Sequence, residues 1–594
     1  MSSDKLFNLR KILKEQNLDA YLIPYTDLHQ NEYLPDSAKR LTWLTGFEGS
    51  AGLAIVTENK AAIFVDGRYT LQVRQQVDTT LFEIKNLTKA DRIKWLNDNL
   101  HSGSRIGFDP WLYTKNDYDS LMADFVTKKF TLVSVSENLI DILWSDRPVD
   151  PVSPLTLYPE CYAGKSLQEK VHTLIKKLQQ HSLDYCLINQ LDSLCWLLNI
   201  RGSDIAFSPL ALCLGLIDAS GTINIFIDLS KVTPDIERAL SPQVCFHPYT
   251  SFESFLTKLA RDKKTCLIDP DTAPQRCSDI FKRHEGRPFY APDPCQWLKA
   301  CKTEVEIQGA EEAHLKDGIA LTQFLFWLDQ SFSRQEITEL SAAEKLLSFR
   351  KKQKNFKGPS FETISGSGPN GAIVHYRVTP KTNRILSKGD LYLVDSGGQY
   401  LEGTTDVTRT IALGQTPSEK QKQAFTRVLK GHIALAMASF PEGTCGYQLD
   451  ALARQYLWHA GMDYAHGTGH GVGTYLNVHE GPQNISMAPK RVPLVTGMIL
   501  SNEPGYYQAG EFGIRIENLV VVDKKYKSNK KEASFLQFRT LTLAPIDLTL
   551  IESSLLTEPE KEWLHTYHQR VYENLNPYLD AKTSLWLEKK TRPL

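Results

Sequence analysis

Apolar residues recur every three or four positions at the start of the chain. In "MSSDKLFNLRKILKEQN" this spacing predicts an amphipathic helix, and the apolar run in "LDAYLI" that follows predicts a strand. The same succession returns later. "LKEQNLDAYLI" from Leu13 matches "LQQHSLDYCLI" from Leu178, and "LTWLTGFEGS" from Leu41 echoes "LCWLLNIRGS" from Leu194. "IFVD" ending at Asp66 then echoes "IFID" ending at Asp228. The order is kept while the loop lengths drift, as expected of a duplicated unit. Each copy reads as helix, strand, Trp-containing turn and further strands, so two related α/β domains are predicted over residues 1–155 and 156–305. Residues 144–159, "WSDRPVDPVSPLTLYP", form a proline-rich joint between them.

From residue 306 the pattern changes. "KTEVEIQGAEEAHLKDGIALTQFLFWL" has helical spacing and starts after Thr303, a suitable N-cap. "EKQKQAFTRVLKGHIALAMASF" and "YQLDALARQYLWHAGM" predict two more amphipathic helices, with strands between and after them. A third domain is therefore expected over residues 306–530, followed by a C-terminal extension over 531–594. The whole is an α/β (α+β) chain.

Bulk composition narrows the function. A chain of 594 residues exceeds what one core supports. Its 68 basic and 69 acidic residues leave no global field for nucleic acid or acidic membranes. The longest apolar run, "LALCLGLI" at 210–217, is far short of a membrane span of roughly 20 residues, and the N-terminus lacks the apolar core of a secretory signal. A soluble, cytoplasmic protein is expected. Nine of the ten cysteines lie between Cys161 and Cys301, with no C-x-x-C pair. Several, such as Cys186 and Cys213, sit in apolar strand-like runs and read as small buried hydrophobes. Neither front domain shows a catalytic constellation; "DPWLYT" and "VDGRYT" read as turns that at most wall a site.

The chemistry-bearing residues are in the third domain. In "DLYLVDSGGQYLEGTTDVTRTIAL", Leu391, Leu393 and Asp395 share one strand face, and a turn at Gly397 and Gly398 leads to a second strand containing Asp406. Antiparallel pairing brings the two carboxylates together, where burial without a cation is costly. "GMILSNEPGYY" places Glu503 where an apolar strand breaks, and "GIRIENLVVV" inserts Arg515 and Glu517 into an otherwise apolar strand. "HGTGHGVGTYLNVHEGP", residues 466–482, concentrates three histidines and five glycines. Asp395, Asp406, His470, Glu503 and Glu517 together predict a site for two divalent cations. Oxygen-rich sets with one imidazole suit Mn²⁺, Co²⁺ or Zn²⁺. Two metals about 3.5–4 Å apart can share a bridging water and lower its pKa, which points to metal-assisted hydrolysis.

These motifs, "VDSGGQYLEGTTDVTRT", "HGTGHGVGTYLNVHEGP", "SNEPGYY" and "GIRIEN", stand in the order and spacing of the pita-bread metallopeptidases. Within them the chain resembles the long, three-domain cytosolic aminopeptidase P group over essentially its whole length. The resemblance implies two creatinase-like front domains, a pita-bread catalytic domain, and the segment "FLQFRTLTLAPIDLTLI" of the long form. It also implies a dinuclear centre, usually manganese, on the same five residues. The substrate it implies is a peptide with proline in the second position, attacked at the Xaa-Pro bond by the metal-bridging hydroxide. It further implies a homodimer through the catalytic domain.

On this reading His470 is the histidine ligand, while His466 and His479 line the site with His375 opposite. Hydrogen-bond donation or proton transfer is assigned to His375 and His479, and the general base to Glu503. His466 either orients its loop or touches substrate. Arg515 orders the carboxylates or contacts substrate, and Tyr507 either hydrogen-bonds near the site or packs. The nearest rival is an Xaa-Pro dipeptidase (prolidase), which typically carries one front domain. Methionine aminopeptidases lack both large front domains. A non-catalytic peptide-binding relative would lose ligands and often carry an acidic tail, whereas the five ligands are present here and the tail "LDAKTSLWLEKKTRPL" is basic.

Overall fold

The structure is a computed structural model and describes residues 2–126, 128–525 and 534–594. The chain packs as two compact units, Met1–Glu160 with Lys165–Gln296, and Cys161–Gly164 with Trp297–Leu594. The domain end placed at residue 530 lies outside the described residues.

The first unit holds the duplication. Helix α1 (Ser2–Glu15) buries Leu6, Leu9 and Leu13, the stripe seen in the sequence. Strands β1 (Ala20–Pro24), β2 (Leu53–Thr57), β3 (Ala61–Val65), β4 (Glu83–Asn86), β5 (Arg105–Phe108) and β6 (Thr131–Ser134) form a sheet of order β4-β3-β2-β1-β5-β6. Strands β7 (Tyr185–Ile188), β8 (Cys213–Asp218), β9 (Ile223–Ile227), β10 (Val244–Pro248), β11 (Thr265–Ile268) and β12 (Arg287–Tyr290) repeat it as β10-β9-β8-β7-β11-β12. In both sheets the three central strands are antiparallel neighbours and the outer ones pair parallel. β2, β3 and β9 are buried at every position, which is why they read as continuous apolar runs. Cys186 and Cys213 are buried within β7 and β8, and burial pushes both thiols well up.

The second unit begins with the long helix α2 (Glu304–Ser331). Thr303 Oγ1 accepts from the Glu306 N–H at 3.2 Å, and Glu306 Oε2 accepts from the Thr303 N–H at 2.8 Å, so a reciprocal capping box fixes its start. A three-stranded sheet contains β13 (Ile364–Ser367), β14 (Leu391–Ser396) and β15 (Val407–Ala412) in that order. Helices α3 (Glu419–Ala436) and α4 (Asp450–Trp458) cross backbone to backbone, since a Cβ on Gly431 would meet Ala453 O at 2.0 Å. The later strands are β16 (Gly469–Gly471), β17 (Glu480–Ile485), β18 (Ile499–Asn502), β19 (Gly505–Gln508), β20 (Phe512–Arg515), β21 (Asn518–Lys524) and β22 (Phe535–Thr540). Strand Ser439–Pro441 and β22, β21, β18, β16 and β17 form a six-stranded sheet in that order, while β19 and β20 make a separate hairpin. Helix α5 (Glu558–Leu575) joins one core through Leu564, Tyr567, Val571 and Leu575, packed with Ile514 and Ile516. Among the described residues no helix is long and apolar enough to cross a membrane.

Three strand expectations need correction. Gly397 does not turn directly into the Asp406 strand: Gly398–Tyr400 and Gly403–Thr404 intervene as strands of a different sheet. Asp406 therefore lies just before β15 rather than within it. Likewise β20 ends at Arg515 and β21 starts at Asn518, so Glu517 sits in the break between two sheets and does not share a strand with Arg515.

Candidate metal centre

The site is assembled where chain segments change sheet. β14 pairs antiparallel with β15, placing Asp395 opposite Thr408 and Ser396 opposite Val407, with Asp406 next in line. β18 delivers Glu503 at its end, and its N–H donates to Thr468 O at 2.8 Å. β16 brings in His470. Gly469 is required beside it, because a Cβ there would lie 2.0 Å from Ser501 O. The His470 N–H donates to Ser501 Oγ at 2.9 Å.

Asp395, Asp406 and Glu517 are all buried, and one oxygen of each lies within 4.8 Å of the others. Their remaining partners are few. Asp395 Oδ2 accepts from the Arg515 guanidinium at 2.5 Å, and Glu517 Oε2 accepts from Thr408 Oγ1 at 2.7 Å. Asp395 Oδ1, Asp406 Oδ1 and Glu517 Oε1 are buried with no hydrogen-bond partner. Unsatisfied carboxylate oxygens in a dry cluster are costly unless a cation meets them. His470 points the same way. Its Nδ1 lies 3.0 Å from Gly471 O, which selects the Nδ1–H tautomer and leaves the Nε2 lone pair available. That Nε2 is 3.4 Å from Asp406 Oδ2 and 3.4 Å from Glu503 Oε1. Three overlapping donor groups, Asp395/Asp406/Glu517, His470/Glu503/Glu517 and Asp406/His470/His479, satisfy metal-ligand spacing. Together they contain all five expected ligands. A set of four carboxylates and an imidazole fits two divalent cations in charge and donor type.

Proton affinities express the same electrostatic demand. Burial pushes the Asp395 carboxyl up to about 7, with Arg515 pulling it down and Asp406 pushing it further up. Burial, then Asp406 and Glu503, push Glu517 well above the carboxylate range. Burial opposes charge on His470, yet its hydrogen bond to Asp406 and the nearby Glu503 lift the imidazole to about 9. Positive charge is favoured at the centre of this cluster, whether carried by protons or by metal.

Arg515, itself buried, organises the wall. Its guanidinium donates to Asp395, to Thr408 Oγ1 at 3.1 Å, to Tyr507 Oη at 2.5 Å and to Val374 O, next to His375, at 3.4 Å. Tyr507 Oη in turn lies 2.8 Å from His466 Nε2. The phenol is pushed up to about 12, by burial against the opposing pull of Arg515. His479 stands edge-on to His470 at 4.3 Å between ring centroids, and one of its ring nitrogens falls within ligand distance of Asp406 and His470. His375 is half-buried. Sequence reasoning missed Thr408, Ser501 and Thr468, which hold the acidic side chains or their backbone. Thr408 could have been found from the register, since it stands directly across from Asp395.

With this geometry established, likeness to known proteins is informative. Residues 308–524 match the model of metallopeptidase family M24, and residues 534–594 match the C-terminal region of peptidase M24. Residues 5–143 and 146–306 each match a creatinase/prolidase N-terminal domain. A probable Xaa-Pro aminopeptidase P of Paracoccidioides brasiliensis (strain Pb03) is 39% identical over 613 residues, covering 100% of this chain and 99% of the relative. Aminopeptidase P2 of Arabidopsis thaliana is 39% identical over 629 residues, covering 100% of this chain and 88% of the relative. Among solved structures, the X-prolyl aminopeptidase of Caenorhabditis elegans, described as a cytosolic enzyme with a di-nuclear active site, superposes with a TM-score of 0.95. It shares 35% identity, with full coverage of both chains.

Proposed function

The chain belongs to metallopeptidase family M24, and from that premise we propose that it is a metal-dependent aminopeptidase releasing the N-terminal residue from peptides with proline in the second position. The observation that carries the reading is the cluster of buried, partnerless carboxylate oxygens beside His470, in a chain similar end to end to Xaa-Pro aminopeptidases. Asp395, Asp406, His470, Glu503 and Glu517 would hold two divalent ions, and the oxygen-rich donor set favours manganese. When bound, such a pair supplies Lewis acidity and lowers the pKa of water towards neutrality.

The chain's own groups account for the rest. Glu503, steadied by Ser501 Oγ at 3.0 Å and by its own N–H on Thr468 O, takes the proton of the attacking water. It delivers that proton to the departing proline nitrogen. This nitrogen has no N–H of its own in the peptide, so a donor placed at it is essential. His375 and His479 donate hydrogen bonds to the oxyanion that develops at the scissile carbonyl. Arg515 holds Asp395 and Tyr507 in place, and Tyr507 orients His466 towards the substrate. The protein acts as a homodimer through the catalytic unit. It works in the cytosol, as its C. elegans relative is described to do.

The test compares Arg-Pro-Pro with Arg-Pro, each with Mn²⁺ and with excess EDTA. Release of arginine from the tripeptide, lost with EDTA, is the expected outcome. Preferential cleavage of the dipeptide would make the chain an Xaa-Pro dipeptidase instead.

A further inference from the structure

Residues 462–468, between α4 and β16, carry His466 and Thr468 but form no helix or strand. Something other than a backbone ladder must fix them. Two charged side chains of α4 do so. Arg454 and Asp450 are only 1% and 2% exposed, and Arg454 Nε donates to Asp450 Oδ2 at 2.6 Å. The rest of the guanidinium is spent on the irregular segment. One terminal nitrogen donates to Asp463 Oδ1 at 2.9 Å and Tyr464 O at 2.7 Å, the other to His466 O at 2.7 Å. The guanidinium also stacks over the Tyr464 ring at 3.8 Å. Asp450 Oδ1 accepts from Thr468 Oγ1 at 2.5 Å, and that hydroxyl also meets the Tyr464 phenol at 2.5 Å.

An apolar pair could fill this space at less desolvation cost. What it could not do is grip two carbonyls and a hydroxyl within five residues of irregular chain. Both ends of the grip lead to groups that the functional reading places at the site. The Arg454 end holds the carbonyl of His466, whose imidazole meets Tyr507. The Asp450 end holds Thr468, whose carbonyl receives the N–H of Glu503.

We propose that the buried Asp450–Arg454 pair is a positioning device for the reaction, setting the imidazole of His466 through its Arg454 limb and the carboxylate of Glu503 through its Asp450 limb. The inference rests on the functional reading above for what these two groups do.

The test uses the manganese-loaded protein and three variants, Arg454→Lys, Asp450→Asn and Thr468→Val, with steady-state kinetics on Arg-Pro-Pro and calorimetric Mn²⁺ titration of the apo forms. Arg454→Lys keeps the charge but loses the planar fork. It is expected to lower kcat about 10–100-fold with KM changed less than about threefold. In a His466→Ala background the same substitution should cost less than about threefold, because its route to the reaction is already gone. Asp450→Asn and Thr468→Val should weaken Mn²⁺ binding about 10–100-fold through Glu503. A merely structural pair would lower the melting temperature yet leave kcat and Mn²⁺ affinity of the folded protein within about twofold, and that result overturns the proposal. Should Arg454→Lys or Asp450→Asn fail to fold, Thr468→Val, which removes one hydroxyl and no charge, decides on the same readouts. If the wild type binds Mn²⁺ but cleaves neither peptide, the functional reading fails, while the Mn²⁺ affinities still decide the clamp.

Discussion

Glu480 offers the sharpest test of how the histidine loop is anchored. It follows His479 directly and begins β17, yet its side chain is completely buried between two lysines. Lys302 Nζ lies 2.5 Å from Oε1 and also donates to Lys299 O at 2.6 Å, while Lys299 Nζ lies 3.1 Å from Oε2. Both ammonium-bearing side chains are 1% exposed, so water cannot replace the carboxylate. At an effective dielectric of about 20, the two attractions amount to roughly 7 and 5 kcal/mol, opposed by the desolvation of three charges and by lysine–lysine repulsion. Glu480→Gln keeps the size but leaves two buried cations without a counter-charge. The expected loss is about 3–5 kcal/mol, a large part of the stability of a typical domain. Urea titration followed by tryptophan fluorescence measures it, comparing wild type, Glu480→Gln, and the triple variant Glu480→Leu, Lys299→Met, Lys302→Met. The triple variant should recover most of the deficit, since an apolar plug carries no charge to desolvate. A Glu480→Gln loss below about 1 kcal/mol would refute the reasoning, showing that the triad is hydrated. Because His479 immediately precedes this strand start, kcat should fall with the single variant as well.

Other substitutions probe the centre and its scaffold. Asp395→Ala should lose bound metal and activity together; turnover retained with full metal content would sink the ligand assignment. His479→Ala should keep both metals by elemental analysis and lose about 100-fold or more in kcat, whereas a missing metal would make His479 a sixth ligand, as its closeness to Asp406 and His470 permits. Gly469→Ala forces a Cβ to 2.0 Å from Ser501 O and so moves His470; Mn²⁺ affinity should drop about 10–100-fold, and affinity within twofold of wild type would contradict it. In the first unit, burial pushes the Asp293 carboxyl from 3.8 up to about 6, so the native state keeps a proton that the unfolded chain sheds across that window. Stability contributed at low pH is therefore lost as pH rises towards 6, and Asp293→Asn should be more stable than wild type by up to about 3 kcal/mol at pH 7 but near-equal at pH 4. An equal urea midpoint shift at both pH values would count against this.

What the sequence disclosed and what it hid follow from a single physical distinction. Each candidate ligand was legible because a charge interrupting an apolar run or a glycine-rich turn demands a partner. Asp395 inside "LYLVDS", Glu503 after "MILSN" and Glu517 before "NLVVV" all carry that mark. The duplication was legible for a similar reason, since two six-stranded sheets of one strand order impose one succession of apolar runs. The strand ends were not legible. Asp406 and Glu517 sit where the chain leaves one sheet for another, and local alternation does not record a change of partner. Arg515 was expected to order the carboxylates or contact substrate, but spacing did not say which carboxylate it reaches, and the fold puts it on Asp395.

The hardest residues were charges that look solvated. Asp450 and Arg454 stand four apart on a helix, the commonest arrangement of an exposed ion pair. Lys299, Lys302 and Glu480 likewise resemble ordinary surface residues. All five are buried where segments distant in the chain or irregular in shape meet, α4 against residues 462–468 in one case and residues 299–302 against the start of β17 in the other. An exposed pair of this kind contributes little and tolerates loss. A buried one is destabilising unless every donor and acceptor is met, as Arg454 meets Asp450, Asp463 and two carbonyls. Local pattern therefore identifies which residues can do chemistry, whereas which charges hold them in place is decided by tertiary cover, and in this chain both buried networks attach to the glycine-rich histidine segment 466–482.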